Sequence, residues 1–291
     1  MESGYQQVGG GDAYDVEKPR PPANQYNGVE HIPIAQAVGS GHAEQGYQSY
    51  LMGDRENDTP LYVYIEDLDK VVRQGFVRKV FSILGIQLAV TFGSILFSVN
   101  NASMNNFLSD PDRSGWFVGL GLFFLIMSTI MIACCTHLTR RHPHNIILLS
   151  IYTVAQSMLL STITVAYDVA AVMIACGTTL AVVVSLIAFA SQTKYDFTGM
   201  GMYLYVALWT LILFGFIASF SNSDGMQLVY AALGTLIFSF YIVYDTQLIL
   251  GGNHKMRFSI DDYVLAALML YIDIIELFLF ILRLIGDSRD R

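Results

Sequence analysis

The chain has 291 residues, a formal net charge of −8 and a sequence pI near 5.1, with 54% hydrophobic and only 14% charged residues. A soluble domain carries roughly 25% charged residues, so a mean hydropathy of +0.47 excludes an ordinary soluble fold. No basic stripe is available to follow phosphates, which excludes a nucleic-acid binder. The acidity is local: residues 1–69 hold 12 acids and 3 bases, a net −9, whereas residues 70–291 carry a net +1.

Residues 1–69 are rich in Gly, Gln, Asn and Tyr and are interrupted by Pro19, Pro21, Pro22, Pro33 and Pro60. Such a segment cannot bury enough apolar surface to offset its ordering entropy, and it is expected to be a disordered cytosolic tail, a solvated spacer first and a set of tyrosine docking or phosphorylation points as the alternative. The chain opens without a basic segment and short apolar core, so no cleavable signal peptide is expected.

From Phe76 onward the composition turns apolar. A bilayer core takes about 20 apolar residues per helix, and seven runs qualify, near 77–99, 116–138, 146–166, 169–190, 201–220, 226–250 and 263–285. The expected fold is therefore an all-α polytopic membrane domain over residues 70–291. Basic residues collect on one side of the spans: Lys70, Arg73, Arg78 and Lys79 before the first, Arg140 and Arg141 in loop 2–3, Lys194 in loop 4–5, and Lys255 and Arg257 in loop 6–7. The opposite loops hold only Arg113, so the amino terminus is expected in the cytosol. Arg283, Arg289 and Arg291 then stand on the uncharged side, which leaves the side of the carboxyl terminus open.

Minor signals fall along the same map. Ser259 and Asp262 resemble a capping box, which starts the seventh span near Ile260. Gly115-x-x-x-Gly119 has the spacing that permits close helix contact. Asn101-Ala102-Ser103 is a glycosylation sequon close against the first span, and Asn57-Asp58-Thr59 is a second in the tail. Cys134, Cys135 and Cys176 are odd in number and lie in apolar runs, unlike a secreted disulfide framework. The six histidines lack zinc-ligand spacing; no cofactor is expected.

Chemistry concentrates in three acids. A charged group at bilayer depth costs about 2.5–3.5 kcal/mol on insertion scales and is a functional candidate by default. Asp245 lies five residues before the end of the sixth span, about 7.5 Å along its axis. Asp273 lies about 13 residues beyond the expected start of the seventh span, roughly 20 Å along it, and Glu276 shares its helix face at i+3. Two carboxylates facing one another in low dielectric cannot both ionise cheaply, so such a pair titrates as a unit. It can serve as a proton-sensitive latch, a transient cation site or an acid–base dyad, with Arg141 reaching down from the second span to neutralise one member. Mere helix-to-helix pairing is the alternative.

Four stretches carry a resemblance: Val72-Arg73-Gln74-Gly75-Phe76-Val77-Arg78-Lys79-Val80, then Gln192 through Thr198, then Gly234 through Gln247 with its Tyr244-Asp245-Thr246-Gln247 ending, then Asp262-Tyr263 and Leu270-Tyr271-Ile272-Asp273-Ile274-Ile275. Together they resemble the Lifeguard branch of the Bax inhibitor-1 superfamily over residues 70–286. The resemblance implies seven helices with the seventh central and a pH-sensitive calcium leak through intracellular membranes, endoplasmic reticulum or Golgi, linked to suppression of cell death. It also implies that Asp245 and Asp273 form the proton sensor and touch permeant Ca²⁺ transiently, with Arg141 (or Arg140) exchanging between closed and open states. Cell-death regulators or receptors are the implied partners of the tail. Glu276 departs from the pattern, where a neutral residue such as Asn is expected, and adds an acid to the ion pathway.

Two other functions compete. An intramembrane aspartyl protease also places Tyr-Asp and a second aspartate on two helices, but it carries Gly-x-Gly-Asp where this chain has Leu270-Tyr271-Ile272-Asp273, so an enzyme is not expected. A non-conducting scaffold would act through its tail alone.

Overall fold

The computed structural model describes residues 70–135, 142–221, 223–251 and 262–286, all within one unit, residues 59–291. The tail, Arg140, Arg141, His137, Lys255, Arg257, Ser259 and the last five residues lie outside the described residues.

The described chain forms α1 (Lys70–Asn100), α2 (Ala102–Ser109), α3 (Pro111–Cys134), α4 (His144–Thr164), α5 (Val169–Gln192), a single 3₁₀ turn (Thr198–Met200), α6 (Gly201–Ser219), α7 (Asp224–Leu250) and α8 (Tyr263–Ile285). All but α2 are long and apolar enough to cross a membrane, seven in number among the described residues. Their outward faces carry large apolar side chains, among them Trp116, Leu180, Phe216 and Phe123, each more than half exposed. In water such a surface would drive aggregation; in a bilayer it is solvated by lipid. The chain is an integral membrane protein.

The sequence reading misses α2. This short helix fits between the first two spans because Asn101 caps it, its Oδ1 accepting from the Met104 amide at 3.1 Å. Asp110 then starts α3 through its Oδ1, which accepts from the Asp112 amide at 3.1 Å, with Pro111 at the first helical position. Arg113, the lone base of that loop, pairs with Asp110 at 3.0 Å. The expected start of the last helix near Ile260 lies outside the described residues, in which α8 runs from Tyr263 with Asp262 just before it. Gly115 and Gly119 look into open space rather than onto a helix, while Gly121 would bring a Cβ to 3.1 Å from Leu159.

Helix α8 is the axis of the bundle. Of its most apolar stretch 72% is buried, against 11–44% for the six other spans. Tyr271, Phe278, Leu270, Ile274, Ile275 and Leu277 are fully enclosed. Phe280 stacks on Phe238 of α7 at 5.7 Å and meets Tyr230 edge-on at 5.3 Å. It lies against Gly234, where even a Cβ would fall within 2.5 Å of its ring.

Beside α8, helices α1 and α4 are joined by polar rungs. Gln87 Nε2 donates to Thr153 Oγ1 at 3.0 Å, Ser157 Oγ donates to Thr91 Oγ1 at 3.1 Å, and Ser161 Oγ donates to Ser94 Oγ at 3.3 Å. The partners differ by 66, 66 and 67 positions. A constant offset over three successive turns means that α1 and α4 run parallel and in register. Thr91 Oγ1 also shares a hydrogen with Tyr271 Oη of α8 at 2.8 Å. Interhelical hydrogen bonds in membranes average about 0.6 kcal/mol each, so the rungs add little stability compared with the apolar packing of α8.

Candidate functional site

Call the end at which α1, α4, α6 and α8 begin the near end. The four stretches that carry the resemblance meet there in pairs. Lys79 of α1 sits over the Tyr263 ring, its Nζ 3.3 Å from the centroid, and Asn145 of α4 donates to Tyr263 Oη at 2.6 Å. These contacts fix the start of α8 against two other helices. Gln247, near the finish of α7, holds the connection before α6: its Oε1 accepts from the Phe197 amide at 2.8 Å and its Nε2 donates to the Tyr195 carbonyl at 2.8 Å. Asp196 Oδ1 accepts from the Thr198 amide at 2.9 Å and shapes the following turn. Helix α7 stops at Gly251, whose φ of 69° is readily reached by glycine.

Between these fixed ends lies the acid pair. Asp245 of α7 is 2% exposed and Asp273 of α8 is 6% exposed, and their carboxyl groups are within hydrogen-bonding reach of each other. Asp245 Oδ1 and Asp273 Oδ2 are buried without a hydrogen-bond partner among the described residues, as is Thr246 Oγ1 next to them. Asp245 lies five residues before Leu250 and Asp273 ten after Tyr263, about 7.5 and 15 Å from the respective helix ends at 1.5 Å per residue. Because the two carboxyls meet, α8 must begin several ångströms further out than α7 finishes.

Glu276 is half-buried, one turn along α8 from Asp273, within electrostatic reach of Asp273, Tyr152 and Tyr230. At the far end Arg283 lies over the Tyr230 ring, 5.3 Å from its centroid. Arg141 lies outside the described residues, so the structure brings together Asp245, Asp273 and Glu276 of the four expected site residues. Reading residues by type missed Gln247 and Tyr263. Both sit in the stretches that carry the resemblance, and their roles become visible only when the partner segments are in place.

Gln247 carries a direct prediction. Gln247→Leu removes a donor and an acceptor and leaves two loop backbone groups unpaired, at a cost of about 1–3 kcal/mol each where they are buried. Tryptic cleavage after Lys194 in the detergent-solubilised protein should become faster, with the rest of the digestion pattern unchanged; an unaltered rate at Lys194 would show that the loop is held by other contacts.

The geometry defines a class: an integral membrane protein in which, among the described residues, six apolar helices surround a seventh that is buried, with two acids meeting inside. Within that class the comparisons are specific. The family described as "Inhibitor of apoptosis-promoting Bax1" matches residues 73–290, and the chain belongs to it. It is 34% identical to human "Protein lifeguard 3" over 292 residues, covering 98% of this chain and 86% of that protein. It is 36% identical to mouse "Protein lifeguard 3", covering 76% of this chain and 72% of that protein. With mouse "Protein lifeguard 4" it shares 35% identity over 73% of this chain and 84% of that protein. These relatives put the chain in the Lifeguard-like branch.

Proposed function

We propose that the protein is a pH-sensitive calcium leak of intracellular membranes, endoplasmic reticulum or Golgi, that lowers luminal calcium and suppresses cell death. The observation that carries this reading is the burial of Asp245 and Asp273 against one another, each with an oxygen unpartnered among the described residues. Two acids in low dielectric are a costly way to fasten helices. They are a suitable way to couple proton uptake to helix position, because the pair attracts a cation or a basic side chain when ionised and neither when neutral. Arg141 is the basic side chain assigned to that exchange. Acidification protonates the pair, weakens its attraction for Arg141 and for Ca²⁺, and changes the separation of α7 and α8. Oxygen ligands suit Ca²⁺, and Glu276 adds a further carboxylate along α8. The family's printed description supports the link to cell death, and the basic residues near α1 support a cytosolic amino terminus.

Purified protein in calcium-loaded vesicles provides the test. Efflux well above that of empty vesicles, varying with pH, is the expected result. Vesicles that hold their calcium at every pH would overturn the leak. In cells, a chain lacking residues 1–69 should still lower stored calcium; loss of the effect with the tail would favour a scaffold acting through that segment.

A further inference from the structure

The acid pair accounts for the near half of the bundle only. Asp245 stands a turn and a half from the near end of α7; further along, Ser239 and Thr235 of α7 bond to their own helix, and a longer polar row lies on two other helices. On α1 its members are Gln87, Thr91, Ser94 and Ser98, and on α4 they are Thr153, Ser157, Ser161 and Thr164. All except Ser94 are buried. From Gln87 to Ser98 the row rises about 16 Å at 1.5 Å per residue, roughly half of a 30 Å hydrocarbon core, and it runs toward the far end. Tyr271, two residues before Asp273 on α8, bonds to Thr91 in the middle of it. The row therefore starts at about the depth of the acids, with Gln87 and Thr91, touches the same stretch of α8 through Tyr271, and runs on to Thr164 at the far end of α4.

We propose that this row of side chains between α1 and α4, headed by Gln87 and joined to α8 through Tyr271, is a hydrated route for small cations through the far half of the bundle. The inference rests on the leak reading above and assigns the part of the path that the acid pair leaves out.

Three features point to passage rather than packing. First, Ser157 has two acceptors within reach for its single hydrogen, and Thr153 and Ser94 turn theirs to their own helices. Ser157 reaches Thr91 Oγ1 at 3.1 Å and the Thr153 carbonyl of its own helix at 2.7 Å. Thr153 reaches the Leu149 carbonyl at 2.8 Å, and Ser94 the Thr91 carbonyl at 2.9 Å. When the hydrogen turns to its own helix, the oxygen lone pairs remain for water or for a hard cation, which is bound by oxygen ligands. Second, Gln87 is 4% exposed, yet its Oε1 has no hydrogen-bond partner among the described residues. A buried amide oxygen left unpaired is a poor fastening between helices and a ready ligand for water. Third, a groove of about 170 Å³, open on the outer face where Ile86, Val90 and Val154 line it, reaches in to Gln87 and Thr153 of this first rung. Water occupies such space only where polar partners are present, and Gln87 and Thr153 supply them.

The test reads water directly, so that it does not depend on the aspartates. In the full-length chain with Cys134, Cys135 and Cys176 replaced by serine, single cysteines are introduced as Ser157→Cys and Ser161→Cys. Ile126→Cys and Leu180→Cys, on the exposed outer faces of α3 and α5 and away from that groove, serve as controls. The protein is placed in vesicles and exposed to a positively charged methanethiosulfonate reagent over a pH series. The thiolate attacks the reagent sulfur, forms a mixed disulfide and releases methanesulfinate; because the thiolate is the reacting form and requires water, row positions should react about tenfold or more faster than the controls. Labelling at Ser157→Cys should also block calcium efflux. Separately, Thr91→Val, which removes the hydroxyl shared by Ser157 and Tyr271 at nearly constant volume, should lower efflux several-fold while its pH midpoint stays that of the wild type. Row cysteines that react no faster than the controls at every pH, in protein that elutes as the wild type does, would show a dry packing seam and overturn the proposal. If the row is labelled but no calcium leaves the vesicles at any pH, the hydrated route stands and the calcium-leak reading falls.

Discussion

Gly234→Val should prevent the bundle from closing around α8. Phe280 lies so close to this glycine that the first carbon of any side chain would enter its ring. The ring cannot move aside, because Phe238 stacks on one side of it and Tyr230 meets it from another. Overpacking a filled core costs about 1–3 kcal/mol and sometimes more, and here the displaced group belongs to the most buried helix of the protein. The expected result is a large loss of monodisperse protein in detergent and a melting temperature lowered by several degrees. Gly85→Ala, at a glycine with open space around it, should behave as the wild type. Partial recovery in Gly234→Ala with Phe280→Leu would assign the damage to this one contact; full stability in Gly234→Val alone would show that α7 and α8 can separate without loss.

The second large effect is a trade of function for stability at the acid pair. In Asp245→Asn with Asp273→Asn the shape is kept and two amides can bond to one another, but no charge remains to be desolvated. Replacing a buried ionisable pair by neutral groups is often neutral or stabilising by about 1–4 kcal/mol, and for a domain of this size each kcal/mol moves Tm by about 2–4 °C. The double variant should therefore melt at or above the wild-type temperature at neutral pH, while its calcium efflux loses its dependence on pH. A variant that melts well below the wild type would mean that the carboxyl pair fastens α7 to α8.

The spans were legible because the cost of placing charge in lipid forces abrupt changes of composition, and the ends of α4, α5, α6 and α8 lie within two residues of where hydropathy puts them. The acids were legible for the same reason, since an aspartate in a row of Leu, Ile and Tyr has no neutral explanation. Helix α2 was not, because its eight residues are far too few to register beside membrane-length apolar runs, although the capping residues Asn101 and Asp110 were in view. The Gly115-x-x-x-Gly119 spacing misleads since spacing alone does not say which way a face points; Gly121, two residues on, is the glycine that meets α4. Gly234, Gln247 and the row headed by Gln87 have meaning only through partners dozens of positions away, and no local pattern encodes those partners. The hold on Tyr263 is similar: Lys79 lies over its ring and Asn145 donates to its hydroxyl, each from a distant helix.

If the two buried aspartates sense protons on behalf of a calcium pathway, removing either charge should uncouple efflux from pH. Calcium efflux from vesicles holding the wild type, Asp245→Asn or Asp273→Asn, followed across one pH series, tests it most directly. The account predicts a wild-type efflux that changes with pH and a flattened profile in both variants, each still folded and still inserted. Variants whose efflux follows pH as the wild type does would contradict it.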